Sequence, residues 1–145
     1  DSFTPTTPVP ILHIHSIDDP RALYKGGLGP RFPYTTKRVN HESVERSVKN
    51  WAIYNQCAPQ AKPKRDLFGA NGTAMAGQSA TLFVYDNCVD GKEVALWQLR
   101  SVGHVWPGGE QGYKEDLLGP STKIIDANRE IWQFFSRFSL NQDRP

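Results

Sequence analysis

The chain has 145 residues, of which 38% are hydrophobic and 22% charged, with 12 Gly and 11 Pro, a size and composition that suit one folded domain and not comfortably two. Lys and Arg total 17 against 15 Asp and Glu, leaving a formal net charge of +2, without the dense basic patch that nucleic-acid binding by counterion release requires. The longest apolar run, Pro10 to Ile14, is strand-sized and interrupted by His13, far short of the roughly eighteen residues that cross a bilayer, so neither nucleic acid nor a membrane is expected as a partner.

A chain that opens on Asp1 and holds Met75 as its one methionine is expected to have lost an upstream segment. After a Pro- and Thr-rich lead, Val9 to His15 is apolar on both alternating faces, the pattern of a strand buried inside a parallel sheet. It ends in Ser16-Ile17-Asp18-Asp19-Pro20, where Pro20 disfavours helix for Asp19, so both acids fall at a strand's C-terminal end. Gly26, Gly27, Gly29, Pro30 and Pro33 make Lys25 to Lys37 a long surface loop. From Ser43 to Gln56, Val44, Val48, Trp51 and Ala52 share one helical face, with Ser43 or Asn40 as N-cap. Ala58 to Ser79 carries three glycines and two prolines without periodicity and reads as irregular, with room for a short strand. Ala80 to Cys88 and Lys92 to Arg100 are strand-like, and Asp90-Gly91 between them signals a hairpin. The second strand runs into Gly103-His104-Val105-Trp106-Pro107-Gly108-Gly109, which leaves His104 just past a strand end. A last helix is expected from about Lys123, capped by Ser121 or Thr122, with Ile124, Ala127, Ile131, Phe134, Phe135 and Phe138 as its apolar stripe.

Cys57 and Cys88 are an even pair without metal-finger spacing; one bridge and two free buried thiols both fit. A bridge would close a loop of about 30 residues. Asn71-Gly72-Thr73 fits the glycosylation sequon and leans toward an extracytoplasmic setting.

Asp19 and His104 both follow buried strands, where open α/β sheets place reacting groups. There a carboxylate fixes one imidazole tautomer and leaves the other ring nitrogen as a general base, half of a hydrolytic triad. Position and residue type alone are served at least as well by Asp19 capping a turn and His104 standing solvated at the surface. The local sequences go further. Ile11-Leu12-His13-Ile14-His15 followed by Asp18-Asp19-Pro20, Tyr24 and a Gly-Gly loop resembles the acid motif of secreted esterases of the polyhydroxybutyrate depolymerase and feruloyl esterase group. Gly103-His104-Val105-Trp106-Pro107-Gly108-Gly109 resembles that group's histidine motif, and the likeness extends over nearly the whole chain, from Trp51 and Cys57 to the final helix. It implies Asp19 as triad acid, His104 as triad base, Trp106 in the substrate cleft, a Cys57–Cys88 disulfide, a secreted protein and no cofactor. Ser16 stands where the group has glycine, and Asp18 is a second acid beside Asp19; alignment on Pro20 favours Asp19.

α/β-Hydrolases carry their nucleophile ahead of the acid and the His, in a G-x-S-x-G elbow. Gly77-Gln78-Ser79-Ala80-Thr81 comes nearest, but lacks the second glycine, precedes a strand and falls between the acid and the His. The expectation is therefore one partial domain over residues 1–145: the C-terminal portion of an α/β-hydrolase, a mostly parallel sheet flanked by helices and lacking the nucleophile-elbow half. Its substrate would be a carboxylic ester, a polyester or an acylated plant polysaccharide, and the isolated chain would be inactive. An open strand edge and the apolar face of the first helix would need covering by an N-terminal half that supplies the serine, by a second copy, or by a rearranged fold. Two other readings stand beside it. One is a non-catalytic half-domain binding polyester or carbohydrate through Trp51, Trp97, Trp106 and Trp132, of which only Trp106 is expected at the surface and the rest in the core. The other is a metal-dependent hydrolase using His13 and His15, which lacks a further nearby ligand; no metal is expected.

Overall fold

The computed structural model describes residues 5–110 and 114–138. Its elements in chain order are β1 (Ile11–Ser16), β2 (Gly27–Leu28), β3 (Asn40–His41), α1 (Val44–Tyr54), β4 (Lys62–Phe68), β5 (Ser79–Tyr85), β6 (Val94–Arg100), α2 (Glu115–Leu118) and α3 (Ala127–Phe135), with a 3-10 turn at Val89–Gly91 between β5 and β6. The main sheet has the order β1-β6-β5-β4, and β2 pairs with β3 to close the Gly- and Pro-rich loop. β1 runs parallel to β6, whereas β6 with β5 and β5 with β4 are antiparallel. The sheet is thus mixed, one parallel pair among three, rather than mostly parallel, because the hairpin turn sends β5 back along β6.

Strict alternation sorts the strand residues onto two faces. Ile11, Phe83, Tyr85, Val94 and Leu96 meet α1 and Tyr24 on one face; Leu12, Leu82, Val84, Ala95 and Phe134 of α3 pack together on the other, continuing into Ala80, Trp97, Leu99 and Ile125. The apolar face of α1 is therefore covered: Val44, Val48 and Ala52 are buried, each valine contributing about 1.5–3 kcal/mol by leaving water. Ser43 caps this helix by accepting from the Arg46 amide. The edge of β1 away from β6 has no strand partner among the described residues.

β4 takes up the room left for a short strand in the stretch read as irregular; its Lys62-Pro63-Lys64-Arg65-Asp66 run is polar because it forms the sheet edge, and the register shifts between Pro63 and Arg65, as Pro and bulges do on edges. Two further expectations are corrected. The last helix starts at Ala127 under an Asp126 cap, not under Ser121 or Thr122. Residues 122–126 stay out of the helix, with Thr122 O accepting from Gly108 N and Pro107 O from Ala127 N. Trp132 is 75% exposed: the helix turns Ala127, Glu130 and Phe134 inward, and a residue two places from Glu130 lies about 200° around the axis. Glu130 is buried as the partner of Arg65, whose guanidinium also lies over the Trp97 ring, 4.9 Å from its centroid.

Cys57 and Cys88 form a disulfide that joins the end of α1 to the β5–β6 turn. No helix among the described residues is long and apolar enough to cross a membrane.

Candidate active site

Parallel strands end at the same edge of a sheet, so the chain leaving β1 and the chain leaving β6 emerge side by side. The register pairs Ser16 with Leu99, which brings Asp19, three residues beyond β1, against His104, four beyond β6. His104 Nδ1 lies 2.8 Å from Asp19 Oδ2. A carboxylate only accepts, so the shared proton is on Nδ1 and the neutral ring presents the lone pair of Nε2. The other oxygen, Oδ1, accepts from the backbone N–H groups of Arg21 and Ala22, each at 2.8 Å. Asp19 is nearly buried, its side chain 6% exposed, while the His104 side chain is 50% exposed. An anchored acid behind a half-open imidazole is the geometry of a general base whose tautomer is set from the protein side.

Several contacts tie the two loops together. Ser16 Oγ, buried at the end of β1, donates to Val102 O and accepts from Asp18 N at 3.1 Å. Asp18 Oδ2 in turn accepts from the amide of Ser101 at 2.7 Å, a residue held at φ +56°. Ser16 and Asp18 thus link the acid loop to the histidine loop, and Asp18 makes no bond to His104. Farther on, the histidine loop docks against residues 118–128. Gly103 N donates to Pro120 O at 2.8 Å and His104 N to Leu118 O at 2.6 Å. A side chain at Gly103 would place its Cβ 2.0 Å from Leu118 O, and one at Gly108, already at φ +84°, would meet Asp126 Cα at 2.7 Å. The glycines flanking Val105-Trp106-Pro107 are there so that backbone can approach backbone. Trp106 remains 59% exposed, with its Nε1 donating to Asn128 Oδ1 at 3.3 Å.

His104 borders two small hollows. One, about 90 Å³, is lined by Pro30 and Phe32 of the Gly- and Pro-rich loop together with Arg21, Val39 and His41; the other, about 120 Å³, reaches back along His15, Ser16, Asp19 and Leu99. Ser79, the nearest thing to a nucleophile motif, opens β5 opposite Arg100 in an antiparallel ladder and lines neither hollow. A larger hollow of about 360 Å³ lies against α3, away from His104, and its cations Lys64, Arg65 and Arg137 are already paired with Asp86, Glu130 and Glu93. Among the described residues no three His, Cys, Asp or Glu groups are arranged to hold a metal ion.

The sequence places His13 and His15 on a buried strand and gives them a part only in the metal-dependent reading, with none beside Asp19 and His104. His15 Nε2 lies 3.5 Å from Asp19 Oδ2 and 2.8 Å from Ala22 O, and its Nδ1 lies 3.2 Å from His13 Nε2. Burial, with His15 as a second and smaller cause, holds His13 below the usual histidine value. The signal that could have exposed this contact was the alternation itself, which puts residues 13 and 15 on the α1 face beside Tyr24. Set against protein-family models, curated proteins and solved structures, the chain matches none.

Proposed function

We propose that this chain supplies the acid, Asp19, and the base, His104, of a Ser-His-Asp triad in a secreted serine-type carboxylic ester hydrolase of the α/β-hydrolase kind. The observation that carries the reading is the His104–Asp19 bond at 2.8 Å, with the acid anchored by two amides and Nε2 left open. In this reading Nε2 takes the proton of a serine hydroxyl as it attacks an ester carbonyl and returns it to the leaving alkoxide, while Asp19 stabilises the imidazolium. The serine and the oxyanion-hole donors come from outside these residues, from an N-terminal segment or a partner chain. The open edge of β1 is where a further parallel strand would join. Trp106 would line the approach for a polyester or an acylated polysaccharide, and the Cys57–Cys88 disulfide fits an extracytoplasmic setting.

The test is hydrolysis of p-nitrophenyl acetate by the purified chain, alone and together with an upstream segment that carries a nucleophile-elbow serine, with His104→Ala and Ser79→Ala as controls. The expected result is no rate above background for the chain alone and a rate with the added segment that His104→Ala abolishes. A rate from the chain alone that survives His104→Ala would overturn the assignment of the base, and one lost in Ser79→Ala would overturn the rejection of Ser79.

A further inference from the structure

We infer that His15 is a positioning residue for the Asp19–His104 pair: it pins the turn that holds the acid, in a tautomer fixed from behind by His13. The inference rests on the triad reading and adds a member to it.

The argument follows from which atoms can donate. Ala22 O can only accept, so the 2.8 Å contact from His15 Nε2 puts a proton on that nitrogen. In the neutral ring Nδ1 is then an acceptor, and the 3.2 Å contact from His13 Nε2 makes His13 the donor. Ala22 is the residue whose own amide donates to Asp19 Oδ1 at 2.8 Å. The turn that grips the carboxylate is therefore held through both polar groups of one peptide-bearing residue: its N–H by Asp19, its C=O by His15. From His13 the chain of bonds runs to His15, through Ala22 to Asp19 Oδ1, and from Asp19 Oδ2 to His104 Nδ1. With Oδ1 fixed, rotation of the carboxylate about its own axis is blocked, and Oδ2 stays aimed at His104. His15 has the rigidity for this: it belongs to β1, its ring stacks on His13 with centroids 5.4 Å apart and meets Tyr24 edge-on at 6.0 Å. It also stands 3.5 Å from Oδ2, beyond hydrogen-bond range, so Oδ2 remains free for His104.

The test reads the tautomer of His104 by nitrogen-15 NMR of the imidazole rings of the full chain, at a pH of about 8, above the ordinary histidine range. The variants are His15→Gln, whose terminal amide can donate from where Nε2 stands; His15→Asn, whose amide ends where Nδ1 stands and falls short of Ala22 O; His15→Leu; and Asp19→Asn. The wild type and His15→Gln are expected to hold the neutral His104 ring as the Nδ1–H form. In His15→Asn and His15→Leu the ratio of that form to the other is expected to fall about three- to tenfold, as for loss of one supporting hydrogen bond. Should His15→Leu fail to fold, the contrast between Gln and Asn, both polar and amide-ended, still decides. If Asp19→Asn shifts the His104 tautomer while His15→Asn and a folded His15→Leu leave it unchanged, His15 only packs and the inference is overturned, with the triad reading intact. If Asp19→Asn itself leaves the tautomer unchanged, the pairing of acid and base fails, and the inference fails with it.

Discussion

Gly103→Ala tests whether the histidine loop is held by backbone contact. Gly103 is not in the left-handed region, so alanine there costs nothing in φ; the cost is steric. The new Cβ would stand 2.0 Å from Leu118 O and 2.6 Å from both Cα and C of Gly119, and backbone atoms cannot swing aside as a side-chain tip can. Relief requires the two segments to part by more than about 1 Å, since carbon contacts are comfortable only near about 3.5 Å. That motion stretches the bonds from Gly103 N to Pro120 O and from His104 N to Leu118 O, now 2.8 and 2.6 Å, past the useful range. Two bonds at about 0.5–1.5 kcal/mol each, with overpacking strain of about 1 kcal/mol or more, give a loss of ~3 kcal/mol. For a chain of this size that lowers the melting temperature by ~10 °C. His104 moves with the loop, so its 2.8 Å contact with Asp19 is expected to loosen, which the ring resonances report. The assay pairs thermal melting followed by circular dichroism with the His104 ring resonances. A variant that melts within about 3 °C of the wild type and keeps the Nδ1–H tautomer would refute the reasoning.

Replacing Cys57 and Cys88 together by alanine opens a loop whose ends are 31 residues apart; urea denaturation is expected to show a loss of about 3–4 kcal/mol in the chain-entropy account. Asn55 is wholly buried, its Nδ2 donating to Val9 O at 2.7 Å and its Oδ1 accepting from Val9 N at 3.3 Å. Asn55→Ala leaves both backbone groups unpaired and is expected to cost ~2 kcal/mol in the same measurement and to speed hydrogen exchange at Val9. His13 has its value lowered below 6.5 by burial first and by His15 second. The unfolded chain therefore binds the extra proton first, so the His13 contribution to stability is complete above pH 6.5 and is lost as the pH falls through its folded value. Urea midpoints should decline below that pH, less steeply in His13→Gln; equal slopes in the two proteins would exclude His13 as a source of acid sensitivity.

Those parts of the fold whose cause is local were legible in the sequence. β1 and β6 announce themselves by apolar residues on both faces, α1 by one apolar face and the Ser43 cap, and the β5–β6 hairpin by Asp90-Gly91. A short strand was allowed for between Ala58 and Ser79, but the position of β4 was not legible, because an edge strand needs no alternation and its Lys, Pro and Arg residues look like loop. Nor was the start of α3: Ile124 fits a helical stripe, yet tertiary bonds from Gly108 and Ala127 hold that stretch out of the helix. In the site, the motif pointed to Asp19 and His104, and position alone could not separate Asp19 from Asp18. Alignment on Pro20 favoured Asp19, and the structure puts Asp19 against His104 while Ser101 takes up the Asp18 carboxylate. Ser16 looked like a departure from the glycine of the resembling motif; its hydroxyl instead supplies a cross-loop bond that glycine could not make.

The single parallel pair in the sheet is the one the proposed chemistry depends on. If β1 and β6 ran antiparallel, Asp19 and His104 would leave opposite edges of the sheet, about 20 Å apart for strands of this length. Parallel pairing puts them together across 85 residues of sequence, and the extension of the sheet by β5 and β4 leaves that edge untouched. The cross-loop bonds from Ser16, from Asp18 and from Gly103 then hold the two loops to each other and to residues 118–120. All of these contacts lie within the described residues, so the Asp19–His104 orientation does not depend on the nucleophile-bearing segment proposed above. A one-residue slip of β1 against β6 would turn Ile11 away from the α1 side and carry His15 to the opposite face, so burial of the core enforces the same register that aligns the site.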